Sequence, residues 1–131
     1  MAQLVTNLGL ANAVAAWVAY ASSARYLQWG VGSGQSATST DLASKTGTSE
    51  ARTEATPSQE DENTTGDTFQ LIGTLTAAGN RAITEVGAFD AAGTGSPPAG
   101  GNMGIYGDFS AVNLTSGDSI TFTVRVTLDQ A

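Results

Sequence analysis

The most regular pattern in the chain lies near its carboxy terminus. In Ile120-Thr-Phe122-Thr-Val124-Arg-Val126-Thr-Leu128 the even positions are apolar and the odd ones polar. Successive strand side chains point to opposite faces, so this alternation predicts a β-strand with one face in the core. Weaker period-two patterns predict further strands. Arg25 to Val31 carries aromatic and branched residues and stops at Gly32-Ser33-Gly34; Asp67 to Thr76 places Phe69, Leu71 and Leu75 on one side; Ile83 to Asp90 and Met103 to Phe109 follow. Ala51 to Glu60 is strand-like but polar on both faces, and Pro57 lacks the amide hydrogen that a central ladder needs, which predicts an edge strand. The acidic tip Asp61 to Gly66 turns it into the following strand as a hairpin.

One segment has a different period. From Leu10 to Ala21 the chain is alanine-rich, and Leu10, Val14, Trp17, Val18 and Ala21 recur at three- and four-residue steps, one face of a helix with Thr6 or Asn7 as N-cap. That apolar face must dock on its own sheet or on a neighbouring subunit. The predicted fold is mainly β: an antiparallel β-sandwich or small barrel of about six strands with one N-terminal α-helix. Residues 1–24 form the helical segment, expected to make an oligomer or shell contact, and residues 25–131 the β domain.

Between these elements lie turns at Ala78-Gly79-Asn80 and Thr115 to Asp118, and two long excursions. Residues 32–50 are hydroxyl-rich with only Leu42 as an apolar anchor, which predicts a long surface excursion or a mobile loop. Residues 91–102 are a Gly/Pro loop expected to connect strands without packing between them.

Composition narrows the function. The 131 residues contain no histidine and no cysteine, which removes the commonest general base, the commonest metal ligand, thiol chemistry and disulfides together. Twelve acidic against five basic residues give a net charge of -7 with no basic stripe, so nucleic acid is not an expected partner. Ala19-Tyr20-Ala21 resembles a small-x-small cleavage site, but no Lys or Arg precedes the apolar stretch and Asn7 and Asn12 interrupt it, so neither a signal peptide nor a membrane anchor is expected.

Candidate chemistry is sparse. In Gly30-Val-Gly32-Ser-Gly34 the third glycine of a dinucleotide-binding loop would fall on Gln35, which favours a structural turn. Asp61 to Gly66 matches the start of a calcium loop, but its closing carboxylate would fall on Ile72. Glu85 shares a face with Ile83 and Phe89 under strict alternation, so it needs a partner, Arg81 or Arg125, unless a bulge at Gly87 turns it outward. Trp17, Tyr20, Tyr26 and Trp29 could form a stacking platform, although aromatics at these spacings are more often core. Asn63-Thr-Thr and Asn113-Leu-Thr fit a glycosylation pattern that is frequent by chance. No catalytic, cofactor-binding or metal-binding residue is assigned, and the chain is not expected to be an enzyme.

Three segments taken together resemble a family of small bacteriophage virion proteins: Tyr26-Leu-Gln-Trp-Gly-Val-Gly-Ser-Gly with Ala37-Thr-Ser-Thr-Asp-Leu42 behind it, Ile83-Thr-Glu-Val-Gly-Ala-Phe-Asp90, and Gly117-Asp-Ser-Ile-Thr-Phe-Thr-Val124. The central motif also occurs in tail-fibre and tail-collar proteins. The resemblance covers roughly residues 25–128 and departs from the family pattern in the insertion at 93–101. It implies a non-enzymatic virion component, with Glu85, Gly87, Phe89 and Asp118 as structural motif residues. Small size and the lack of a fibrous repeat favour a capsid decoration (cement) protein that binds the major capsid protein on the virion surface after assembly in the host cytoplasm. A homotrimer is expected, with Leu10, Val14, Trp17 and Trp29 as oligomer or shell contacts. The alternatives are a tail-fibre or tail-adaptor component and a glycan-binding adhesin module that uses loops 32–50 and 91–102.

Overall fold

The computed structural model describes residues 3–20 and 23–130. Among them are one helix and seven strands: α1 (Asn7–Ala19), β1 (Tyr26–Gly30), β2 (Thr53–Glu54), β3 (Thr56–Glu60), β4 (Thr68–Thr76), β5 (Arg81–Phe89), β6 (Met103–Leu114) and β7 (Ser119–Thr127). They build two antiparallel sheets, one in the order β2-β1-β5-β6 and one in the order β3-β4-β7. The fold is mainly β and a sandwich, not a closed barrel.

Thr6 is the N-cap of α1, its hydroxyl accepting from the Gly9 N–H at 3.2 Å. Arg25 closes the other end by donating to the carbonyls of Val18 and Tyr20. Val14 is fully buried and Leu10 nearly so, while Trp17 stacks on Phe69 of β4 with ring centroids 4.2 Å apart. The helix therefore docks on its own β-sandwich, with Val14, Trp17 and Val18 on the same core as the strands. Ala21 lies outside the described residues.

The β2–β3 segment does what a polar strand with a proline can do, which is to run along edges. It pairs with β1 through Thr53 and Glu54, then changes sheet at buried Ala55 and pairs with β4 through Thr56 to Glu60. Opposite that crossing, Gly73 faces inward; a Cβ there would lie 2.9 Å from Leu27 Cδ1 and 3.1 Å from Ala55 Cβ. Only a residue without a side chain lets the sheets close at this point.

The cleanest alternation does not mark the deepest strand. Inward residues of β4 (Phe69, Leu71, Leu75) are buried to 2% exposure or less, whereas those of β7 (Ile120, Phe122, Val124) are only half-buried. The reason is position: β7 is an edge strand, and β4 lies between two neighbours with the helix on it.

Candidate functional site

Glu85 organises the surface around the central motif. A register irregularity between Ile83 and Glu85 re-aims the strand. Ile83, Val86 and Ala88 join the core between the sheets, and Phe89 packs with Leu42 and Met103 in a second cluster on the other side. Glu85 thus shares its face with Phe89 and not with Ile83. It has no solvent exposure, and its carboxylate accepts the backbone N–H groups of Gly32 (3.1 Å), Ala43 (3.0 Å) and Ser44 (2.8 Å). Neither expected arginine partners it: Arg81 pairs with Glu50 and Arg125 with Glu62. A buried carboxylate is tolerated when donors replace its water, and backbone amides serve as well as a cation.

The neighbouring glycines follow from this. A Cβ on Gly30 would fall on the Glu85 carboxylate and the Ser44 carbonyl oxygen, and one on Gly87 would lie 2.7 Å from Met103 Sδ and 3.0 Å from Leu42 Cδ2. Gly87 does not turn Glu85 outward; it makes room for the loop. The excursion at 32–50, expected to be mobile, is pinned by Glu85, by buried Leu42 and by the Thr84 hydroxyl donating to the Gly32 carbonyl at 2.7 Å. Tyr106 stands beside it. Burial, then the adjacent Glu85 carboxylate, push the phenol up to about 12, and its hydroxyl has no hydrogen-bond partner of good geometry. With Gln35, Ser36 and Ser39 it lines a polar recess of about 310 Å³.

Arg52 does the same for the second loop. It is 8% exposed and stands 3.7 Å over the Phe89 ring. Its guanidinium donates to Gln28 (2.8 Å) and to the carbonyls of Ala91 (2.9 Å) and Gly100 (2.7 Å). Burial lowers its pKa, opposed by Asp41 and Asp90 nearby. Gln28 and Lys45 both donate to the Pro98 carbonyl. The Gly/Pro loop at 91–102 is therefore bonded to the body, contrary to the expectation that it would not pack.

Two further carboxylates were not singled out from the sequence. Burial alone would raise Glu50, but bonds from the Ala78 amide, the Trp29 indole, its own segment's backbone and Arg81 outweigh that and hold it at about 2. Burial likewise opposes ionisation of Asp67, yet the amides of Thr64, Glu62 and Asn63 and the Thr68 hydroxyl hold it at about 2. Asp61 accepts from the Gly66 N–H at 2.7 Å and Glu62 pairs with Arg125, so both carboxylates of the calcium-like tip are engaged within the chain. No cluster of three or more potential ligand side chains exists among the described residues. Asp118 accepts from the Thr115 amide and hydroxyl, which lower its pKa and close the turn into β7.

The four expected contact residues go inward. Trp29 is 1% exposed with its indole on Glu50, Val14 joins the sandwich core with Trp17 packed against it, and Leu10 is 7% exposed. Within the chain Val14 and Trp29 are covered and Leu10 nearly so, which leaves them little apolar surface to offer a second molecule, whereas Trp17 keeps part of its surface; Trp17 stacks on Phe69 and Trp29 bonds Glu50, so the Trp17–Tyr20–Tyr26–Trp29 platform does not form. What the chain exposes instead is Leu4 (76%), Val5 and Leu8 (70%) at the start of the uncharged amino-terminal segment. A groove of about 460 Å³ opens between β6 and β7, lined by Ile105, Phe109, Val112, Ile120, Phe122 and Val124 among others. No described helix is long and apolar enough to cross a membrane.

Comparison with protein-family models, with curated proteins and with solved structures finds no match to this chain.

Proposed function

We propose that this chain is a non-enzymatic bacteriophage virion protein, a capsid decoration protein that binds the major capsid protein shell from outside and associates with itself, as a homotrimer. The observation that carries the reading is the use made of the central motif. Glu85, Gly87 and Phe89 are spent on clamping a long surface loop, so the resemblance to small virion proteins rests on residues with a display role. The exposed Leu4, Val5 and Leu8 support a shell contact, since clustered apolar surface on a small protein marks an interaction site. They replace the buried helix face in that role.

Co-sedimentation with shells tests the reading. The wild type is expected to pellet with shells at a copy number in the hundreds, and a Leu4→Ser, Val5→Ser, Leu8→Ser variant to stay in the supernatant while keeping its circular dichroism spectrum. A wild type that never pellets overturns the proposal. The polar recess at Gln35, Ser36, Ser39 and Tyr106, with its unpartnered phenol, favours the second reading of a glycan-binding adhesin or tail component. Saturable hits on a glycan array would support that reading instead.

A further inference from the structure

The outer face of the β2-β1-β5-β6 sheet carries a third layer, made of two loops that lie far apart in the chain. Beneath residues 32–50 and 91–102, Leu42, Phe89 and Met103, with Tyr26 and Tyr106 against them, form an apolar cluster separate from the sandwich core and smaller than it. Two buried ions hold the layer down without pairing with each other. Glu85 takes three amides of the first loop, and Arg52 donates to two carbonyls of the second, those of Ala91 and Gly100. The loops are also bonded to each other. Lys45 of the first loop, paired with Asp41, donates to the Pro98 carbonyl of the second at 3.3 Å; the Ser96 hydroxyl donates to the Ser49 carbonyl at 3.2 Å; and the Met103 N–H, where the second loop enters β6, donates to the Thr40 carbonyl at 3.0 Å. Neither loop leaves the sheet without breaking bonds of the other.

Closing this layer leaves polar groups unsatisfied. Among the described residues three buried side-chain polar atoms lack a hydrogen-bond partner, and two of them, Arg52 Nη2 and the Tyr106 hydroxyl, lie in the layer. A buried donor without a partner has lost its water and gained no bond in exchange, so opening the layer hydrates both groups and is easier than opening the sandwich.

We infer that the two loops form one cooperative layer, which opens and closes over the sheet as a unit while the sandwich stays folded. The consequence is coupling. A molecule that binds the closed form through one loop also orders the other, so the two loops act as a single binding surface.

Native-state hydrogen exchange on the full chain tests this, independently of any binding to shells. In the wild type the amides of Gly32, Ala43 and Ser44 in the first loop and of Ala99 and Asn102 in the second are expected to share one denaturant dependence and to exchange well before those of β4. Arg52→Gln removes bonds to the second loop only, and is expected to accelerate Gly32, Ala43 and Ser44 in the first roughly tenfold. Glu85→Gln alters bonds to the first loop only, and is expected to accelerate Ala99 and Asn102 in the second, with β4 unchanged in both variants. Lys45→Met, which cuts one link between the loops, decides the matter if either buried variant fails to fold, and is expected to speed both sets of amides together. Acceleration confined to the altered loop, no acceleration in either, or wild-type exchange of the layer with the denaturant dependence of β4 overturns the inference.

Discussion

The two halves of the sandwich are built from the same kind of strand and finished differently. On the β1–β4–β5 side, with α1 across it, Leu27, Phe69, Leu71 and Ile83 are fully buried. On the β6–β7 side the equivalent inward residues, Ile105, Phe109, Ile120, Phe122 and Val124, touch the same core but keep part of their surface in water. The difference teaches that the closed half carries most of the burial that holds the fold, whereas the open half leaves apolar surface uncovered within one chain. Removing a ring from each half tests this most directly. Phe69→Ala, which also strips the stacking partner from Trp17, is expected to cost about 3–5 kcal/mol, and Phe122→Ala about 1 kcal/mol, by urea unfolding. Equal costs would mean that the open half is as much a part of the fold as the closed one.

Next in size is the clamp that fastens a loop to the closed half. Glu85→Ala leaves the amides of Gly32, Ala43 and Ser44 without their acceptor, and a cost of about 2–4 kcal/mol is expected from three charge-assisted bonds that relax in part toward water. Hydrogen exchange should accelerate at those three amides first. If exchange rises equally through β6 and β7, the clamp supports the whole sandwich and not one loop.

The sequence showed the elements better than their neighbours. The helix at Leu10, Val14 and Trp17, the hairpin around Asp61 to Gly66 and the strand from Ile120 to Leu128 were legible because each depends on a local period or turn. What the helix docks on was not, since a period of 3.6 exposes an apolar face without saying whether Phe69 or a second molecule will cover it. Glu85 was recognised as needing a partner, but backbone amides forty or more residues away leave no trace in residue identity, so arginines were the natural candidates. The loops at 32–50 and 91–102 read as loose for the same reason: Gly, Ala and Ser are anchored here by their main chains, through Glu85 and Arg52. The strict alternation of β7 marks a strand with one wet face and says nothing of whether its other face is fully covered.

A smaller effect lies in the pH dependence of stability. Glu50 and Asp67 both have folded-state pKa values depressed to about 2, below their ordinary values of 4.5 and 3.8. A group with a depressed folded pKa adds stability above its unfolded value and loses it as pH falls through the folded one. Stability should therefore be flat above about pH 5 and decline from there toward pH 2. Glu50 ties Trp29 of the closed half to the turn before β5, so Glu50→Gln should remove part of the slope. Phe122→Ala, on the open half, should shift the curve without changing its shape. A wild-type profile flat to pH 2 would sink the assignment.

The smallest expected effect lies on the seam between the halves. Thr74 of β4 and Thr121 of β7 face each other on the outer surface with hydroxyl oxygens 2.8 Å apart, and Thr76 and Ser119 repeat the pair one step along. Both hydroxyls of the first pair are exposed, so water replaces the bond readily, and Thr121→Val keeps the branched shape that a strand favours. The change in unfolding free energy should stay within about 0.5 kcal/mol. A larger loss would show that β7 is fastened to β4 by its outer hydroxyls, because its inner face, with Phe122 and Val124 only half-covered, grips too weakly in the isolated chain.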